Sequence, residues 1–201
     1  MSEAKQYHHG NLAQDILIRA AEVFADEGIE ALSLRGVARD LGVSHGAPNR
    51  HFRNKAALLS ALATEGWRQI QEATLGAADA TGSDDPHVRL NAMGRGFLSW
   101  AIDNRALFKT IYHPDVTRYA DDSMLAANTE FQNTVRDACA ATQADGRHPE
   151  VPLPLLLMYT NSVPFGVAMM LSNDLVRGAD ENYDKEELIE QIINLVVPLP
   201  T

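Results

Sequence analysis

Apolar residues recur along this chain at steps of three and four, and no stretch alternates with period two, so the pattern predicts helices from end to end. Ile16, Ala20, Val23 and Phe24 form the stripe of a first helix, with Asn11 as its N-cap and Gly28 as its stop. Leu34, Val37, Ala38 and Leu41 form a second, capped by Ser33. Leu41-Gly42-Val43 is a tight glycine turn, after which a short third helix opens at Ser44 and packs through Phe52. Pro48 lies close enough to that start to forfeit at most one intrahelical hydrogen bond. Asn54 then caps a long fourth helix carrying Leu59, Leu62, Gly66, Ile70, Ala73 and Ala77, broken by Thr81-Gly82-Ser83-Asp84-Asp85-Pro86.

The remainder reads the same way. Leu90, Met93, Phe97 and Ala101 mark a fifth helix, and Leu107, Phe108, Ile111 and Tyr112 a short segment closed by Pro114. A further helix is expected over 116–142, ending before Asp145-Gly146. Residues 152–178 are almost apolar all round, with a kink expected at Pro164, and a last helix carries Leu188, Ile192, Leu195 and Val196 before Pro198. The expectation is an all-α protein: a three-helix head over 1–55 with a helix-turn-helix at about 33–52, and a helical body over 56–201.

The helix-turn-helix sets the first functional expectation, because a helix entering at Ser44 can put its first residues on base edges in the major groove of DNA. Net charge argues against this at first sight, since the 201 residues carry −10. Its distribution reverses the argument. Residues 1–70 balance eight Lys and Arg against eight acids, so the whole excess belongs to 71–201. Between Arg35 and Lys55 there are five basic residues and one acid, Asp40. Phosphate attracts such a head and repels such a body, which orients the molecule head-first onto DNA.

Gly42-Val43-Ser44-x-Gly46, His51-Phe52, Lys55 and Leu58-Leu59, approached by Ala20-Ala21-x-Val23-Phe24-Ala25 and Gly28, resemble the DNA-binding head of the TetR-type (tetracycline-repressor-like) transcriptional regulators. The resemblance spans about 7–62, and beyond it only the helical architecture carries it. Asn49 departs from the pattern, standing where the family usually has a tyrosine. Chemistry and resemblance together place Arg35, His45, Gly46 and Ala47 at base edges: Arg forks onto guanine, His donates or accepts, and Ala offers a methyl to thymine. Ser44, Asn49, Arg50, His51 and Lys55 form the expected phosphate-backbone clamp, which sets register and not sequence. Tyr7, His8 and His9 precede the head as a short arm.

In the body, a helix apolar all round must be covered on several sides. The resemblance implies that two copies meet through the last two helices, with Met170, Leu171, Leu188, Ile192, Leu195 and Val196 in the seam of a homodimer. It also implies a small-molecule effector pocket in the body, for which Phe97, Trp100, Phe108, Tyr112, Phe131, Met158, Tyr159, Phe165 and Met169 are the candidates, against plain core packing as the simpler reading. Some of these regulators carry a His-Gly pair in the penultimate helix where Phe165-Gly166 stands here, so effector identity does not carry over.

The function so implied is a sequence-specific DNA-binding transcriptional regulator, a repressor released by its effector, whose partners are a double-stranded operator and a second copy of itself. The alternative keeps the fold as a dimeric ligand-binding or protein-interaction module with weak DNA binding. Enzyme chemistry is not expected: His113-Pro114-Asp115, Asp121-Asp122 and His8-His9 lack a third group at ligand or catalytic spacing, so neither metal nor cofactor is called for. Cys139, the single cysteine, reads as an inert hydrophobe inside a helix. The apolar stretches 151–159 and 163–171 fall short of the ~20 residues of a spanning helix, and the N-terminus has no apolar leader core, so a cytoplasmic protein without membrane contact is expected.

Overall fold

The structure, a computed structural model, describes residues 12–173, 175 and 184–199. Among these residues there are helices and no strand. Helix α1 (Leu12–Glu27) buries the expected stripe of Ile16, Ala20, Val23 and Phe24. It stops at Gly28, whose φ of +84° is the left-handed conformation a side chain disfavours. The proposed cap Asn11 and the arm Tyr7, His8 and His9 lie outside the described residues. Helix α2 (Leu34–Asp40) is capped as expected, the Ser33 hydroxyl accepting the Gly36 N–H at 3.0 Å. Gly42, with φ +67°, makes the turn that follows.

The third helix of the motif is shorter and tighter than its sequence suggested. Residues 45–47 form a turn and Pro48–Arg50 a 3-10 helix. Its bonds span three residues: Ala47 N–H donates to Ser44 O at 2.9 Å, Arg50 to Ala47 at 3.2 Å and His51 to Pro48 at 3.0 Å. Pro48 explains the difference, because it has no N–H to close a four-residue bond onto Ser44. Its ring and Phe52 are buried instead, and they anchor the segment to the head.

Asn54 caps α3 (Lys55–Ala80), its side chain accepting the Ala57 N–H at 2.8 Å. This helix packs along α4 (Pro86–Asp103) and α7 (Asp122–Ala144) and so belongs to head and body alike. Against α4 the backbones come close: a Cβ on Gly96 would sit 2.5 Å from the Ala73 carbonyl oxygen and 2.7 Å from the Ala77 methyl. The small residues of the α3 stripe are there to admit α4.

Between them lie α5 (Arg105–Ile111) and α6 (Pro114–Thr117). The single helix expected over 116–142 is thus two, α6 and α7. Asp121 causes the break: its carboxylate accepts the Met124 N–H at 3.0 Å as an N-cap, and its own N–H donates to the buried Ser60 hydroxyl of α3 at 3.1 Å. The Met124 N–H also holds the Asp121 carboxyl below the usual range.

Helix α8 (Leu153–Ser172) runs on through Pro164, joining the two apolar stretches that the sequence separated. At 20 residues it is long and apolar enough to cross a membrane by length and composition, contrary to expectation. It packs against α4, α5, α7 and α9 (Lys185–Val196). A continuous core links Ile16 and Phe24 of the head to Ile193 and Val196 of the last helix.

Candidate nucleic-acid interface and interior cavity

The head presents its basic residues outward. Arg35, Ser44, His45, Gly46, Asn49, Arg50 and His51 are exposed, Ala47 is half-buried, and Arg39 and Arg53 add two more exposed cations. Asp40, the acid within this run, is tied back: Arg19 of α1 donates to its Oδ2 from Nε at 3.1 Å and from Nη2 at 3.0 Å. That guanidinium, which also binds Glu22 Oε2 at 2.9 Å, holds the Asp40 carboxyl below its ordinary range and offsets its charge beside the exposed arginines. Lys55 differs from the other expected contacts. It is half-buried, and its ammonium donates to the Ile29 carbonyl in the turn after α1. The sequence placed Lys55 at the right end of the right helix, but the contact joining it to a loop 26 residues away is tertiary.

Below the head, α3, α4, α7, α8 and α9, with Tyr112 just after α5, line a partly open cavity of about 180 Å³. Phe97, Tyr112, Phe131 and Phe165 line it as expected. Burial pushes the Tyr112 hydroxyl well up from its usual value, so that it stays neutral. Five expected residues do not line it. Phe108 is core, packing its ring on Tyr112 at 4.9 Å and on Phe97 and Phe165. Trp100 is buried with its Nε1–H on Gln69 Oε1 at 3.3 Å, and Met169 is half-buried against the core. Met158 and Tyr159 point outward, 70% and 52% exposed. Sequence reasoning missed Thr74, Met93, Gln132, Thr160 and Asn161 on the wall, and also Ile193. Spacing put Met93 and Thr160 on helices without saying which side was hollow.

The proposed dimer face divides similarly. Leu195 and Met170 are exposed, at 81% and 45%, and Leu188 and Ile192 are half-buried. Leu171 and Val196 are buried within the subunit and are not on that face, and Val196 lines the cavity. An all-apolar helix gives no phase from its sequence. The fold supplies it: α8 turns Thr160, Pro164, Ala168 and Ser172 inward and leaves Leu155, Met158, Tyr159 and Met170 uncovered.

Of the groups considered for chemistry, His8-His9 lies outside the described residues and the others have structural duties. His113 Nδ1 accepts the Asp115 N–H at 3.2 Å as the cap of α6, and its ring meets Phe24 of the head edge-on at 5.1 Å. Asp121 caps α7 and Asp122 opens it. Cys139 is fully buried, which pushes its thiol up and makes it a poor nucleophile. Among the described residues no group of His, Cys, Asp and Glu is placed to hold a metal.

Two family models match the chain: one described as bacterial regulatory proteins of the tetR family, over residues 16–62, and one described as the tetracyclin repressor-like C-terminal domain, over residues 90–196. The HTH-type transcriptional regulator Rv1816 of Mycobacterium tuberculosis is 29% identical over 123 residues, covering 60% of this chain and 53% of that protein. The chain therefore spans about half the length of the curated relatives it matches. Among solved structures, a Rhodococcus sp. RHA1 protein of unknown function superposes with a TM-score of 0.73 at 25% identity, covering 96% of this chain and 95% of that one. PfmR of Thermus thermophilus, a TetR family transcriptional regulator, shares the fold with a TM-score of 0.70 at 21% identity, covering 90% and 96%.

Proposed function

Because the chain belongs to the TetR family of bacterial regulatory proteins, we propose that it is a homodimeric, sequence-specific DNA-binding transcriptional regulator of the cytoplasm, a repressor released when a small molecule fills the body cavity. The observation that carries the reading is the exposed set of cations on the helix-turn-helix, Arg35, Arg39, Arg50 and Arg53, with the intervening acid Asp40 neutralised from behind by Arg19. Phosphate contacts from such a set position the protein, and Arg35, His45 and Ala47 read base edges. The uncovered apolar face of α8 and α9, Leu155, Met158, Tyr159, Met170 and Leu195, is the seam between copies.

Release works through α5. Tyr112, the residue after this helix, lines the cavity, while the helix packs on α1 of the head and on α3. His113 then reaches Phe24 directly. An effector that favours one placement of α5 shifts the spacing of the two heads, by no more than its differential affinity for the two states. Domain limits near residue 55 are functional on this reading, since α3 is mechanically continuous with both parts.

A second reading has its own observation: Asn49 stands in place of tyrosine on a 3-10 turn, which offers less reach and less apolar area to DNA. A gel-shift titration of the full chain against the promoter region flanking its own gene, at several salt concentrations, tests the proposal. Retention at physiological salt with a steep salt dependence is the expected result. Retention no stronger than on random DNA leaves the ligand-binding module.

A further inference from the structure

We propose that the interior cavity takes a neutral molecule of single-ring or short-chain size bearing a hydroxyl or carbonyl group, and that it rejects carboxylates, phosphates and ammonium ions. The inference rests on the reading of this cavity as the effector site and specifies its ligand. Size comes first: the space is about 180 Å³, and an apolar cavity of about 150 Å³ accommodates benzene. Charge comes second, because among the described residues no Asp, Glu, Lys, Arg or His lines the wall. A charged ligand would lose its hydration there and meet no counter-charge. Tyr112 stays neutral under its own burial. Arg147, a buried cation of the body, gives its Nη2 to the Val196 carbonyl at 2.6 Å and borders a separate surface hollow beside Asp145 and His148.

Polarity comes third. Thr74 on α3 and Thr160 on α8 both line the cavity and both are buried, and among the described residues neither hydroxyl has a nitrogen or oxygen hydrogen-bond partner. Native interiors leave few such atoms unpaired. The Thr160 hydroxyl can donate to the Cys139 sulfur, a weak acceptor. Pro164 adds an acceptor, since it has no N–H to give to the Thr160 carbonyl four residues earlier. Two hydroxyls without a strong partner and one underused carbonyl, on a wall that also carries the side-chain amides of Gln132 and Asn161, match a ligand that can both accept and donate a hydrogen bond.

The test uses the full chain and four probes of one ring size: benzyl alcohol, toluene, benzoate and benzylammonium. Binding is read from the thermal midpoint and from tryptophan fluorescence, for which Trp67 is well placed, 5.2 Å from the ring of Tyr112 and 5.7 Å from that of Phe131. Benzyl alcohol should raise the midpoint and alter the emission, with benzoate and benzylammonium inert at the same concentration. Thr74→Val should weaken benzyl alcohol about two- to tenfold and leave toluene unaffected, and Thr160→Val should do the same in a separate background. Benzoate or benzylammonium binding as well as benzyl alcohol overturns the inference. So does failure of both neutral probes, which would mean that water occupies the cavity. Benzyl alcohol binding that leaves operator retention in the gel shift unchanged supports the ligand class and overturns the effector reading, so the two fail separately.

Discussion

At the scale of single residues, Lys55 and Arg50 divide the proposed clamp into a contact that holds the head together and one left free for phosphate. Its side chain is half-buried and committed to the Ile29 carbonyl, whereas Arg50, five residues earlier, is exposed on the 3-10 turn. Charged hydrogen bonds of this kind are worth roughly 1.5–3 kcal/mol. Lys55→Met should therefore lower unfolding free energy by about 1.5 kcal/mol in urea melts. Arg50→Ala should leave stability alone and reduce the salt slope of DNA binding by roughly two per dimer. If Lys55→Met instead flattens the salt slope with stability intact, Lys55 returns to the phosphate clamp. Motif and charge made Lys55 visible in the sequence; its partner could not be seen there, because Ile29 becomes its neighbour only after α1 and α3 pack.

At the scale of elements, two features set the geometry of the body. Asp121 starts α7 and is locked to α3 through Ser60. Asp121→Ala should cost about 1 kcal/mol, as lost N-caps do, and should fray the first turn of α7, which hydrogen exchange at Met124 would register. The α3 and α4 backbones meet at Gly96, where a methyl would collide with the Ala73 carbonyl. Alanine gains roughly 1 kcal/mol of helix propensity over glycine, yet overpacking against backbone costs about 1–3 kcal/mol. Gly96→Ala should accordingly be a net destabilisation measured by thermal melts, with a gain in stability showing that the two helices can part. The sequence displayed Ala73 and Ala77 as ordinary stripe positions; only the packing of α4 explains why they are small.

At the scale of the whole molecule, assembly and charge work together. The body carries the entire net charge of −10 and the head a cationic surface, so the proposed dimer would be a polar object with its proposed DNA face at one end. Leu195 separates assembly from folding better than Ile192, being 81% exposed in the subunit whereas Ile192 packs partly on the core. Leu195→Asp should leave the subunit's circular dichroism and its ligand binding intact. It should raise the dimer dissociation constant about ten- to a hundredfold, about 1.4–2.7 kcal/mol, with operator binding lost in parallel. Sedimentation over a range of concentrations checks it, and an unchanged dimer would remove the last helix from the seam.

What the sequence determined by itself is what local chemistry can fix. Ser33 and Asn54 cap because a side-chain oxygen three residues before a backbone N–H does so in any context, and Gly28 and Gly42 end helices because only glycine enters left-handed backbone freely. The helix count of the head, the stripes of α1 to α4 and the basic run around the turn follow from the same reasoning. Tertiary structure decided the rest. It split the helix over 116–142 by offering Asp121 a hydroxyl from α3. It also chose which side of α8 is inside, turning Thr160 to the cavity and Met158 and Tyr159 to the surface. Helical periodicity assigns a face only where polar residues mark the opposite one, and α8 is apolar on nearly every side, so its phase is set by what packs against it.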